Sequence, residues 1–329
     1  MADDRWREAP PAEGAADDGR AWRLIEKLVL ASQSEQRKAR RWGIFFKLLT
    51  FGYLFALLVL FGAGLREAGP LNPAAEHTAL IEVDGVIAHG EAASADRVVE
   101  ALRQAFDSER AVGILLRINS PGGSPVQAGY IYDELMRLKG LHPERPVYAV
   151  IGDIGASGAY YIAAAADAIY ADKASLVGSI GVISSSFGFV EAMRDVGVER
   201  RLYTSGEHKA FLDPFSEVDV EGAAHWQSVL EHTHLQFIDA VRRGRRGRLK
   251  DSEDAQLFSG LIWNGEQALE LGLVDGLASP GAVARDVVGE EEVVDYTVRP
   301  APFERWVLGL AAQIKASVSP PGGPNMQLR

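Results

Sequence analysis

Ser157 stands in Gly155-Ala156-Ser157-Gly158-Ala159, after the apolar run PVYAVI (Pro146–Ile151) and ahead of Tyr160, Tyr161 and an alanine-rich segment. That order predicts a short buried strand turning tightly into a helix. A serine on such a turn has its hydroxyl pushed into the open. The peptide N–H groups at the helix start face the same spot, where they can hold an anion. Small neighbours let a substrate backbone come close. A close-packed turn would use the same residues, so this stretch alone leaves two readings, nucleophile and packing turn. A second cluster bears on the choice. VGILLRINSPGGS (Val112–Ser124) is another buried-strand pattern, closed by Pro121, Gly122 and Gly123. Proline fixes φ there, and the glycines can turn a backbone N–H toward a ligand. Taken by itself, PGG is a turn. Two strand ends with free N–H groups, taken together, are the parts of an oxyanion hole beside a nucleophile.

A serine nucleophile needs a base. A triad would draw on a histidine and an acid, but none of the seven histidines lies in a glycine-turn setting. His232 and His234 fall in a predicted long helix, His142 in a loop, and His208 beside Lys209; all read as solvated or structural. Lysine can serve instead where burial leaves it neutral. Lys209 lies in TSGEHKAFLDPF among Phe211, Leu212 and Phe215, although by itself it reads as a surface lysine. Ser179, in VGSIG, would by itself be a turn residue. G-x-x-x-x-G-K-[ST], H-E-x-x-H and S-x-x-K are absent, and GASGA departs from G-x-S-x-G at Ala159. The pair His232 and His234 is a weak metal signal, read as surface. No metal and no cofactor is expected.

In chain order, INSPGGS, DIGASGAYYIAAAADAIYA, LVGSIGVI, SGEHKAFLDPF and LFSGLIWNGEQALELGLVDGLAS resemble the signal peptide peptidase A family. These are serine peptidases of the ClpP/crotonase-like superfamily, and the likeness runs from about Thr78 to about Ala278. It implies an α/β fold in which ββα units form a spiral. It gives Ser157 the nucleophile's role and Lys209, in S-G-x-x-K before a Pro-Phe pair, that of general base. Ser179 would hydrogen-bond the lysine, and the N–H groups of Gly123 and Gly158, with Gly122 as a further candidate, would form the oxyanion hole. The substrates implied are peptides, namely signal-peptide remnants. Tandem members take lysine from one copy of the fold and serine from the other. This chain shows no internal repeat and resembles the short form. Its site would be completed by folding Lys209 back within the subunit or by a neighbour in a homo-oligomeric ring. An acyl-CoA enzyme of the crotonase type would share the oxyanion architecture but work through glutamates without an anchor. A non-catalytic membrane scaffold would leave peptides intact.

The elements that must position these residues read as alternating strands and helices, the pattern of an α/β fold. Strands are predicted over Thr78–Val83, the Val112 run, the run before Ser157 and Glu199–Tyr203. Helices are predicted over Ser94–Phe106, Pro125–Lys139, Phe187–Val196, Val220–Arg243 and Gly265–Leu271, the last stopped by Gly272. The basic run RRGRRGR (Arg242–Arg248) reads as a solvated helix end rather than a nucleic-acid patch. The net charge of −11 over 329 residues also argues against nucleic acid. With no cysteine, disulfides and thiol chemistry are excluded.

The expected organisation begins with a disordered, then basic, cytoplasmic segment over residues 1–41. A membrane span follows over 42–65, charge-free from Leu48 to Leu65. A linker over 66–76 leads to the peptidase domain over 77–300, and 301–329 holds an apolar stripe (Phe303 to Ile314) and a disordered tail. Arg37, Lys38, Arg40 and Arg41 precede the span and Arg66 alone follows it. That asymmetry predicts a single pass through the plasma (inner) membrane, with the N-terminus cytoplasmic and the catalytic body extracytoplasmic, or periplasmic.

Overall fold

In the computed structural model, residues 27, 40–59, 75–250 and 255–299 are described. The chain divides into two units, Met1–Glu67 and Ala68–Arg329. The first contains helix α1 (Arg40–Val59), whose 20 residues are long and apolar enough to cross a membrane. Its large side chains, among them Phe51, Phe55 and Leu58, are exposed. Trp42 packs against Phe45 and Phe46 at its first turn. The end of the expected span (60–65), most of the linker, the rest of 1–39 and the stripe at Phe303–Ile314 lie outside the described residues.

The second unit is built on one sheet. Its elements are β1 (His77–Asp84), α2 (Ala95–Asp107), β2 (Ala111–Ser120), α3 (Pro125–Leu141), β3 (Val147–Ala156) and α4 (Gly158–Ala163). There follow β4 (Ala168–Ala171), β5 (Leu176–Gly178), α5 (Val190–Asp195) and α6 (Val220–Gly244). The last are β6 (Ile262–Asn264), α7 (Gly265–Glu270), β7 (Gly276–Leu277) and β8 (Val293–Asp295). The strand order is β6-β5-β3-β2-β1-β8, and β4 pairs with β3 and β7. All pairings are parallel except β5 with β6. This is the mixed α/β class expected.

β3 organises the sheet. One edge pairs with β2 from Val147 to Gly155. The other pairs with β4 from Tyr148 to Ile151, then with β5 from Ile154 to Ala156. The two partners change over at Gly152 and Asp153. Parallel strands covered on both faces must be apolar throughout, and Ile114, Leu116, Ile118, Val147, Ala149 and Val150 are fully buried. On one face, α2 buries Val98, Leu102 and Phe106, the helical spacing read from the sequence. The smaller cluster opposite joins Leu115 and Val150 to Val283 and Ala284.

Two sequence expectations need correction. Glu199–Tyr203 forms no strand but runs irregular and exposed, because no strand lies beside it to accept its backbone groups. The basic run is not simply solvated. Arg245 is 1% exposed and grips both carboxylate oxygens of Asp275, at 2.6 and 3.0 Å. Its Nε and Nη2 also donate to the carbonyl of Gly272.

Candidate active site

β3 delivers Ser157 to the point where α4 begins. Its backbone is at φ 54°, ψ −125°, a left-handed conformation that L-residues adopt only when the surroundings impose it, at about 1–3 kcal/mol. Here the surroundings do. The Ser157 N–H donates to the Gly178 carbonyl at 2.8 Å, and its own carbonyl accepts from Tyr161 N–H at 3.0 Å. Ser179, at φ 51°, is the other non-glycine residue of positive φ among the described residues. It directly follows Gly178, and its N–H donates to Leu261 O at 2.7 Å. Both strained residues are therefore candidate site serines, held on adjacent strand ends.

The Pro-Gly-Gly turn comes up against this corner. Gly122 is at φ +99°, and a Cβ there would lie 2.7 Å from Ser157 Cβ and 2.8 Å from Gly158 N. Glycine is required by that approach. The turn is fixed by Ile87, whose N–H donates to Gly122 O at 2.9 Å and whose carbonyl accepts from Ser124 N–H at 2.8 Å. Since residues 122 and 124 bond to Ile87, the N–H of Gly123 between them points the opposite way. Gly158 opens α4, so its N–H has no intrahelical partner. These two donors flank Ser157. The Gly122 N–H is engaged with Ser120 Oγ at 3.1 Å, and this takes Gly122 out of the donor set expected from sequence. Gly122 supplies room rather than a hydrogen bond.

Beside these groups opens a cavity lined by Gly123, Ser157, Gly158, Tyr161, Thr233 and Phe237. Tyr161 and Phe237 meet edge to face with centroids 5.1 Å apart, giving an apolar wall. Gly181 and Val182 line it from the segment after Ser179. His234 Nε2 lies 3.1 Å from the Ile180 carbonyl, tying that segment to α6. Thr233 and Phe237 were not singled out in the sequence. The signal was their i, i+4 spacing, continued by Val241 on the buried side of α6.

Lys209 lies elsewhere. It is exposed and absent from the cavity lining. Its turn is attached to the far end of α6. Asp219 caps that helix by accepting from Gly222 N–H at 2.9 Å, and its other oxygen lies 2.9 Å from His208 Nδ1. Phe211 packs on Gly222 and on Trp226, 6.2 Å between ring centroids. Eleven helical steps separate Gly222 from Thr233, which is about 16 Å along the axis. The structure thus gathers Ser157, Ser179, Gly122, Gly123 and Gly158, while Lys209 is exposed on a turn packed at the start of α6. No cluster of three or more metal-ligating side chains occurs among the described residues.

The pattern of Peptidase family S49 matches residues 140–292. Protein slr0021 of Synechocystis sp., named a candidate protease, is 35% identical over 201 residues, covering 61% of this chain and 69% of that one. Protease 4 of Haemophilus influenzae is 32% identical over 205 residues, covering 61% of this chain and 32% of its own. A Brucella melitensis protein named Na(+)/H(+) antiporter NhaA is 44% identical over 190 residues, covering 58% of this chain. The chain spans about a quarter of the length of that last protein.

Proposed function

The chain belongs to peptidase family S49, and on that premise we propose that it is a membrane-anchored serine endopeptidase working through Ser157 and Lys209. The observation that carries the proposal is the strained Ser157 corner, flanked by the N–H groups of Gly123 and Gly158. In this reading Ser157 Oγ attacks the peptide carbonyl while unprotonated Lys209 takes its proton. The two N–H groups receive the developing oxyanion, where charge-directed donors act most strongly. Lys209 then hands the proton to the leaving amine, and water repeats the cycle on the acyl-enzyme. Ser179 hydrogen-bonds the lysine.

We assign the base to a second copy of the chain. The support is the distance along α6 between the cavity and the end that holds Lys209. The segment between β5 and α6 also exposes Ile183, Phe187, Val196 and Tyr203, the last 90% exposed. Apolar side chains on that scale suit a contact with a neighbour. A repeated head-to-tail contact closes into a ring. We also propose that the body faces the extracytoplasmic side; the support is the basic residues Arg37, Lys38, Arg40 and Arg41 ahead of the apolar run. The substrates are signal-peptide remnants, apolar peptides that would diffuse in the bilayer toward an anchored enzyme. Hydrolysis of a quenched fluorescent peptide by the wild type and by Ser157→Ala tests the reading. Equal rates would remove it.

A further inference from the structure

Lys209 is flanked by two attachments to the same helix end. The residue before it, His208, contacts the Asp219 carboxylate at 2.9 Å. The residue two positions after it, Phe211, packs on Gly222 and Trp226. Asp219 is itself fixed, because it caps α6 through its other oxygen. The loop bearing the lysine therefore takes its position from the first turn of a 25-residue helix.

We infer that His208 and Asp219 form a positioning pair that sets the direction in which Lys209 is presented. The inference rests on Lys209 being the base. Neither residue touches the reacting atoms; they act through the backbone that Lys209 shares with His208. The backbone N–H of Lys209 donates to Gly206 O at 3.2 Å, so the turn is already closed on one side. The pair supplies the other. Phe211 holds the loop to the helix, and its N–H donates to His208 O at 3.3 Å. The bond from His208 to Asp219 is the side-chain tie that joins this turn to the helix cap.

The charged groups facing His208 are Asp219, Glu221 and Glu207, and the hydrogen bond from Asp219 is the main cause that raises its pKa above the ordinary value. The sign follows from that rise. The charge-assisted pair is complete below the ordinary histidine pKa and weakens as pH climbs through the raised value. Above it, neutral imidazole still donates one N–H, so presentation of Lys209 loosens rather than fails.

The test is steady-state hydrolysis of a quenched fluorescent Ala/Leu peptide by the full-length protein in detergent. His208→Ala should lower kcat about tenfold while KM stays near wild type, because a base displaced by even an ångström loses rate rather than binding. His208→Asn, whose amide can donate from nearly the same place as Nδ1, should recover most of that loss. Its kcat profile should lack the inflection that His208 contributes. Asp219→Ser keeps the helix cap, since serine caps as well as aspartate, but leaves no second polar atom for His208. It should match His208→Ala, and the double variant should be no slower than either single one. Lys209→Ala separates the two failures. If that protein still turns over, the proposed base is wrong. If Lys209→Ala is dead while His208→Ala keeps full kcat, or the two losses multiply, the positioning pair is refuted.

Discussion

Replacing Gly122 by alanine tests the corner at Ser157 directly. The new Cβ would fall 2.7 Å from Ser157 Cβ, 2.8 Å from Gly158 N and 2.9 Å from Ala156 O. None of these is the free end of a side chain, so the glycine turn itself must retreat. Restoring ordinary contact takes about 1 Å, from 2.7 Å to the usual 3.5–4.0 Å. Gly123 is the next residue and moves with it, carrying its N–H away from the oxyanion position. Removing one such donor costs about 10²–10³ in kcat. Holding alanine at φ +99° adds backbone strain of about 1–3 kcal/mol, which lowers the melting temperature without unfolding the body. The assay is kcat and KM on a peptide substrate, with thermal melting on the same preparations. KM should change little, because the interaction is made in the transition state. A folded Gly122→Ala protein with wild-type kcat would refute the placement of the turn against the nucleophile.

Other expectations follow from the same geometry. Ser157→Ala and Lys209→Ala should each abolish peptidase activity with the fold intact, and the double variant should be no worse, which kinetics will check. Lys209→Arg should be equally inactive, since a guanidinium does not give up its proton in a protein. Inactive Ser157→Ala and Lys209→Ala subunits, unfolded and reassembled together, should regain activity; mixed particles identified by two tags that stay dead would place the dyad in one chain. Arg245→Met leaves Asp275 short of its main partner and should destabilise the body by about 3 kcal/mol, seen as a melting temperature roughly 6–12 °C lower. Protease added to intact spheroplasts should cut the linker near Pro70; protection until lysis would put the body in the cytoplasm.

Local chemistry was legible in the sequence where the responsible residues adjoin one another. GASGA announces the strand-to-helix corner, and α2 and α3 follow from apolar spacing and from Ser124-Pro125 at a helix start. Gly272, at φ +76°, ends α7 as its place in the sequence suggests. What escaped depends on partners far along the chain. Arg245 sits in a run that looks solvated, and its partner Asp275 is 30 residues on. Glu199–Tyr203 has strand composition, yet a strand exists only beside another. Gly122 and Gly123 look equivalent in sequence. They differ because Ser120 captures one N–H and Ile87 turns the other outward.

Helix α6 is also a lever. Its foot, at Gly244, is wedged against the carbonyl of Ala164, just past the end of the helix that Ser157 begins, leaving no room for a Cβ. The 22 helical steps from Gly244 to Gly222 span about 33 Å, so a tilt of about 5° at the foot would swing the Lys209 loop by about 2.9 Å. Displacements of that size can cost about two orders of magnitude in rate. A methyl group added at Gly244 would thus displace the Lys209 loop and, by a smaller amount, the α6 residues Thr233 and Phe237 that line the cavity. In the proposed assembly, rate would depend on angular tolerance at this half-buried pivot as well as on the groups that do the chemistry.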